Sequence, residues 1–240
     1  MEGIKLGRKK VELWCLKSCW LRRIMKSHLS FKTSETETLM RNRYTIRLIE
    51  EKDCNAVLDI YTYYVLNTVI TFEYKVPSRE AYVERIRMVT AEYPWLVCLE
   101  NNVVVGYAYA GRHRYKEAYD WSVESTIYLT NDTHRKGIGS VLYQTLFSIL
   151  KLQGYYNVYA GVVYPNEKSE AFHLSQGFEF VCDFKKIGFK FNEWQDLRWF
   201  QLFLSDHTNV PKELIKIHDE ALATPIAKIL ADANAELAIE

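Results

Sequence analysis

The stretch His134-Arg135-Lys136-Gly137-Ile138-Gly139 decides how this chain folds, because a strand-like run ends just before it and an apolar-periodic helix begins inside it. Glycines at such a junction let the backbone come close to a ligand. The unpaired N–H groups and the positive dipole end of the helix favour an anion there. Arg135 and Lys136 add formal charge, so His134 to Ser140 reads as a phosphate-binding helix start. By itself a Gly-x-Gly turn before a helix serves equally well as a tight connection; the flanking elements decide.

Upstream, Trp121 to Leu129 alternates. Trp121, Val123, Ser125, Ile127 and Leu129 fall on one face, and Ser122, Glu124, Thr126 and Tyr128 on the other, so Glu124 and Tyr128 point the same way. Downstream, Ile138, Val141, Leu142, Thr145, Leu146, Ile149 and Leu150 follow the spacing of a helix with one buried stripe, which Gly154 stops. Asn157 to Val163 reads as a buried strand. The strand, glycine turn, helix, strand order lacks the Gly-Lys-Ser/Thr ending of a P-loop. It also lacks the three-glycine dinucleotide fingerprint with its later ribose-binding acid.

The stretch resembles the acyl-CoA signature of the GNAT N-acetyltransferase superfamily, an (Arg/Gln)xxGx(Gly/Ala) loop whose backbone amides hold the CoA pyrophosphate. Asn166, Ser169, His173 and Gly177-Phe178 follow at the superfamily's spacing. Further runs narrow the resemblance to phosphinothricin N-acetyltransferases and their amino-acid-acetylating relatives. They are Tyr93-Pro94-Trp95-Leu96-Val97, Tyr107-Ala108-Tyr109-Ala110-Gly111, Ala118-Tyr119-Asp120-Trp121, Val123-Glu124-Ser125-Thr126, Pro165-Asn166 and Trp194-Gln195-Asp196. The resemblance covers about Tyr44 to Leu204. It implies a mixed α/β fold with a mostly antiparallel twisted sheet flanked by helices, acetyl-CoA as co-substrate, a small-molecule amine acceptor and a homodimer. Two departures stand out. His134 occupies the place of the family's Gln or Arg, and Arg112, Arg114 and Lys116 rearrange the basic pattern ahead of Ala118-Tyr119.

Composition agrees. With 240 residues, 48% of them hydrophobic and 25% charged, the chain can bury a full core as one domain with end segments. A net charge of +1 argues against a general nucleic-acid binder. Cys15, Cys19, Cys54, Cys98 and Cys182 are odd in number and scattered, suggesting neither a disulfide framework nor a metal site, so a reducing cytoplasm fits best. No metal and no membrane partner is expected, since no apolar run approaches the roughly 18 residues that span a bilayer.

Three segments follow: an extension over 1–39, the acetyltransferase domain over 40–204 and a helical tail over 205–240. Met1 to Lys26 is basic, but Glu12 and Lys17 interrupt any signal-peptide core. A basic amphipathic helix there is the alternative to an upstream extension before Met40, and Met25 is another possible start. Within the domain the pattern predicts strands at Tyr44–Leu48, Trp95–Leu99, Val103–Ala110, Trp121–Leu129, Asn157–Val163, Phe178–Phe189 and Leu197–Leu204. Helices are predicted at Cys54–Leu66, Ser78–Thr90 and Asn166–Ser175, besides the one after Gly139. In the tail, Thr224-Pro225 predicts a break between two short helices.

Acetyl transfer to an amine needs a neutral amine, a polarised thioester carbonyl and a proton for the departing thiolate. Glu124 is the candidate general base, because a partly desolvated carboxylate has a raised pKa and accepts a proton near neutral pH. The resemblance places His173 where many GNAT enzymes carry a Tyr that protonates the thiolate, and imidazole can do that or deprotonate the amine. Tyr128, on the face of Glu124, is a candidate for orienting substrate or thioester. Asn166 is either a ligand of the pantetheine or the cap of its own helix. The resemblance also implies that backbone groups of Ile127 to Leu129 meet the pantetheine like an added strand, one N–H polarising the thioester carbonyl. For the acceptor, Arg114, Lys116, Tyr119 and Phe72 are the candidates, with Arg112 beside them in the same basic run, and basic groups there suit a carboxylate or phosphinate. Glutamate analogues such as phosphinothricin, methionine sulfoximine and methionine sulfone follow. The alternatives are a protein N-terminus or a polyamine, or a non-catalytic acyl-CoA-binding module.

Overall fold

The computed structural model describes residues 43–133, 136–208 and 210–238. The extension over 1–39, with its possible amphipathic helix, lies outside them, as do His134 and Arg135 of the glycine loop.

The chain runs β1 (Tyr44–Leu48), α1 (Cys54–Asn67), α2 (Arg79–Thr90), β2 (Trp95–Glu100), β3 (Val103–Arg112), β4 (Ser122–Leu129), α3 (Ile138–Gln153), β5 (Asn157–Tyr164), α4 (Glu167–Ser175), β6 (Glu179–Lys190), β7 (Glu193–Phe203) and α5 (Glu220–Glu236). Local chemistry sets the helix ends. Ser78 caps α2, its hydroxyl accepting from Ala81 N at 3.2 Å. Gly154 ends α3 in the left-handed conformation at φ +96°, where a Cβ would be strained.

The strands form one seven-stranded sheet in the order β1-β2-β3-β4-β5-β7-β6. All neighbours are antiparallel except β4 and β5. Each face carries its own core. On one, α3 and α5 lay Ile138, Leu142, Leu146, Ile149, Leu222 and Ile226 against Leu96, Ala108, Val123 and Val158. On the other, α1 and α2 pack Val57, Tyr61, Tyr64, Tyr82 and Ile86 against Trp95, Val97, Tyr107 and Tyr128. The alternation read in β4 is what divides Val123 from Tyr128.

Two expectations change. β7 begins at Glu193, earlier than Leu197, because Phe191 and Asn192 form a two-residue hairpin turn with φ of +51° and +62° that pairs Lys190 with Glu193. The tail holds one helix where Thr224-Pro225 suggested two. Asp219 caps it through Ala221 N at 2.9 Å, and Pro225 sits inside it. Burial of Leu222, Ile226, Ala233 and Leu237 on the α3 face outweighs the single backbone hydrogen bond that Pro225 removes. The same helix closes the edge of the sheet. Asn234 accepts from Ile46 N at 2.6 Å and donates to Ile46 O at 3.1 Å, so both backbone groups of that edge residue are satisfied. Among the described residues no helix is long and apolar enough to cross a membrane.

Candidate active site

β4 and β5 pair only at Ser122↔Asn157, Val123↔Val158 and Glu124↔Tyr159. Beyond that point they part, while β4 stays paired to β3 through Leu129 and β5 to β7 through Tyr164. The central sheet therefore opens into a fork, and Glu124 stands at its crotch. Strand geometry says which backbone groups line it. Trp121 O accepts from Tyr156 N on the β5 side and Thr130 N donates to Val105 O on the β3 side, so the odd-numbered residues of β4 turn towards the fork. Ile127 thus faces the gap with no cross-strand partner on that side among the described residues. Leu129 faces it too, although its carbonyl accepts from Tyr64 Oη at 2.6 Å.

The Glu124 side chain is 42% exposed and accepts no hydrogen bond among the described residues. Burial pushes its carboxyl above the usual carboxylate range, while Arg114 pulls the other way. Cross-strand from it lies Gly111, where a Cβ would meet nothing within 4 Å, so space is open beside the carboxylate. Tyr128, on the same face, is buried against Tyr61, Tyr64 and Tyr107 at ring separations of 4.7–5.5 Å. Desolvation raises its phenol well above the usual value, so it stays protonated.

Gly137 precedes α3 with φ +69°, and among the described residues no side chain caps that helix end; Ile138 N donates to Lys136 O at 2.8 Å and Ser140 N to Gly137 O at 2.9 Å, while Gly139 N has no partner there. Lys136 and Gly137 are exposed, whereas Ile138 and Gly139 are buried and Ser140 is half-buried. A Cβ on Gly139 would come within 3.3 Å of the Phe172 ring, so a side chain there would push α4 away from α3. Asn166 caps α4, its Oδ1 accepting from Ser169 N at 3.2 Å.

His173 is not brought beside Glu124. It lies on the α3 face, 4% exposed, with Nδ1 2.7 Å from Ser169 O and Nε2 3.2 Å from Tyr143 Oη. A carbonyl can only accept, so Nδ1 carries the proton and Nε2 accepts from the phenol. Tyr143 also stands 3.4 Å from Ser125 Oγ. Burial lowers the imidazole pKa against the opposing pull of the Ser169 carbonyl. His173 is thus a neutral member of a brace tying α4 to α3 and β4.

The acceptor candidates divide. Arg114, Lys116 and Tyr119 are exposed on the β3–β4 connection, and of the three Arg114 acts on Glu124. Arg112 is not free, since it donates to Asp120 at 2.6 Å and to Arg114 O at 2.9 Å. Phe72 belongs to a loop docked on β6. A Cβ on Gly188 would approach its ring to 2.6 Å, buried Lys190 donates to Val65 O at 2.9 Å and Thr71 O at 2.7 Å, and Tyr74 Oη donates to Phe189 O. The residue that sequence reading missed is His113, whose Nδ1 lies 3.9 Å from Glu124 Oε2. Its only sequence signal is its place between Arg112 and Arg114, which pointed to charge and not to an imidazole.

A family model described as an acetyltransferase (GNAT) domain matches residues 46–199. The chain is 32% identical over 161 residues to the phosphinothricin N-acetyltransferase of Streptomyces viridochromogenes, a match covering 67% of this chain and 88% of that one. It is 32% identical over 166 residues to the L-methionine sulfoximine/L-methionine sulfone acetyltransferase of Salmonella typhimurium, over 68% of this chain and 96% of the relative. Among solved structures, a GNAT superfamily phosphinothricin acetyltransferase from Sinorhizobium meliloti in complex with acetyl-CoA superposes with a TM-score of 0.69 at 32% identity, over 74% of this chain and 97% of that one. The resemblance carried by the motifs and the mixed α/β fold are both borne out. The forked sheet and the uncapped glycine start of α3 suit a long, phosphate-bearing thioester, and this chain belongs to the GNAT acetyltransferase family as an acetyl-CoA-dependent N-acetyltransferase.

Proposed function

We propose that the protein moves the acetyl group of acetyl-CoA to the amino group of a small amino-acid-like acceptor of the phosphinothricin, methionine sulfoximine or methionine sulfone class. The observation that carries this reading is Glu124 at the crotch of the fork, half-exposed, without a hydrogen bond among the described residues and beside open space. An acceptor ammonium that enters next to Gly111 loses a proton to this carboxylate. The freed lone pair then attacks the thioester carbon, the C–N bond forms, the C–S bond breaks, and the second proton shed by the nitrogen passes to the departing thiolate, which leaves along the fork as the thiol. Ile127 supports the transfer by offering backbone groups to the pantetheine, with an N–H available to the carbonyl oxygen. Lys136 to Ser140, with His134 and Arg135 ahead of them, would receive the pyrophosphate. Asn166 and Ser169 set the start of α4 beside the same gap. His173 contributes through the brace that fixes α4, and Tyr128 by holding β4 against α1.

Arg114 and Lys116 make the mouth basic, which favours an acceptor bearing a carboxylate or phosphinate over a polyamine. Phe72 and Tyr119 would close over the acceptor's side chain. We place the enzyme in the cytoplasm as a homodimer. Cys54, Cys98 and Cys182 are free thiols, as a reducing compartment requires. Phe180, Val181, Ile187, Phe189 and Trp194, each 43–62% exposed on the β6–β7 hairpin, offer a second copy an apolar patch. Sedimentation tests the dimer. Thiol release from acetyl-CoA tests the activity, across phosphinothricin, methionine sulfoximine, methionine sulfone, common amino acids and spermidine. Turnover confined to spermidine would sink the acceptor class.

A further inference from the structure

His113 follows directly on β3 and lies flat on Tyr159 of β5, with ring centroids 4.3 Å apart and planes 14° off parallel. Trp199 of β7 closes over it edge-on at 5.6 Å and 78°. The side chain is 13% exposed, and its Nδ1 is buried with no hydrogen-bond partner among the described residues. A buried N–H left without an acceptor costs about 1–3 kcal/mol, so such an atom needs an explanation. The nearest ionisable oxygen is Glu124 Oε2 at 3.9 Å.

The other groups that bear on the pair are few. Arg114, on the same connection, acts on both partners. Tyr159 lies beneath the imidazole with its phenol raised by burial, and Trp199 is uncharged. Glu124 also acts on the phenols of Tyr109 and, from the other face, Tyr143, both raised by burial. Among these groups Glu124 alone is anionic at neutral pH.

We propose that His113 is a positioning residue for acetyl transfer, its neutral imidazole donating from Nδ1 to Glu124 and holding that carboxylate ionised and aimed at the acceptor's ammonium. This rests on the reading of Glu124 as the base. The stack on Tyr159 fixes the plane of the ring, and rotation of the half-exposed Glu124 side chain closes the remaining distance of about 1 Å. Hydrogen bonds of this kind are often long before substrate arrives. Burial and Arg114 hold the imidazole below its usual pKa, so it stays a neutral donor and does not take the proton itself. A donor to the charged form of a carboxyl lowers its pKa, opposing the desolvation that raises Glu124.

The test compares His113→Phe, which keeps the stack and loses the N–H, with His113→Asn, whose amide nitrogen replaces Nδ1. Both are measured in the full-length chain with acetyl-CoA and methionine sulfoximine. His113→Phe is expected to move the acidic limb of kcat/KM upward by about one pH unit and to lower turnover at pH 7 about tenfold, with the acetyl-CoA KM within twofold of wild type. His113→Asn is expected to restore most of the limb. An acidic limb that His113→Phe leaves in place overturns the proposal. A readout free of turnover is 15N NMR of the imidazole in wild type and Glu124→Gln. Proton on Nδ1 and a titration that Glu124→Gln displaces support the pair, whereas a proton on Nε2 or an unmoved titration overturns it. A displaced titration in a Glu124→Gln variant that still turns over normally keeps the contact but overturns Glu124 as the base, and with it the positioning role.

Discussion

Glu124 and His173 are both titratable side chains, one partly and one almost wholly withdrawn from water, and they lie on opposite faces of one sheet. Burial acts on each by disfavouring its charged form, raising the carboxyl and lowering the imidazole. Their surroundings differ. Both nitrogens of His173 are engaged, one with Ser169 O and one with Tyr143 Oη, and the ring is sealed among Phe172, Phe178 and Phe200. Among the described residues Glu124 has no such partners; it stands where β4 and β5 part and borders open space at Gly111. A perturbed pKa alone does not identify a catalytic group. A perturbed group with unspent hydrogen-bonding capacity, facing a gap, does so far better.

The comparison breaks or sharpens on four variants. Glu124→Gln is expected to lower kcat about 10²- to 10⁴-fold at neutral pH and to leave acetyl-CoA affinity within a factor of about two. Steady-state kinetics beside calorimetric titration of acetyl-CoA decide this, and unchanged turnover removes Glu124 from the chemistry. His173→Leu should cost roughly 1–3 kcal/mol in urea unfolding, because Tyr143 Oη and Ser169 O lose their partner. The folded variant should keep most of its kcat. Wild-type stability with a hundredfold loss of turnover would return His173 to the proton path. Gly111→Leu fills the space beside Glu124, so the acceptor KM should rise about tenfold, equivalent to about 1.4 kcal/mol, while the acetyl-CoA KM and the melting temperature hold. An unchanged acceptor KM would show that the acceptor enters elsewhere. Far from both groups, Asn234→Ala should cost about 1 kcal/mol by freeing the backbone of Ile46, with no change in kinetics. A change in acceptor KM there would mean that α5 reaches the site.

Much of this was legible in the chain. The α3 stripe from Ile138 to Leu150, the stop at Gly154 and the shared face of Glu124 and Tyr128 are local periodicities that tertiary packing reinforces. The fork was implied only by family resemblance. Its physical cause, loss of pairing between β4 and β5 after Glu124↔Tyr159, involves residues about 35 apart with no local mark. Pro225 misled for the opposite reason, because a real local penalty is overridden by burial of the α5 stripe. His113 stayed hidden because its partners Tyr159 and Trp199 reach it through strand pairing across β4, β5 and β7. Arg112 looked like a substrate cation until Asp120 was found to hold it.

The central claim is that an anionic Glu124, made harder to ionise by burial, takes the acceptor's proton. A base works only when deprotonated, so activity rises with pH through its pKa and is lost below it. The direct measurement is kcat/KM against pH with methionine sulfoximine, in wild type and in Glu124→Gln. The account predicts a wild-type acidic limb above the ordinary glutamate range that disappears from the residual activity of the variant. A limb at an ordinary carboxylate pH, or the same limb in Glu124→Gln, would contradict it.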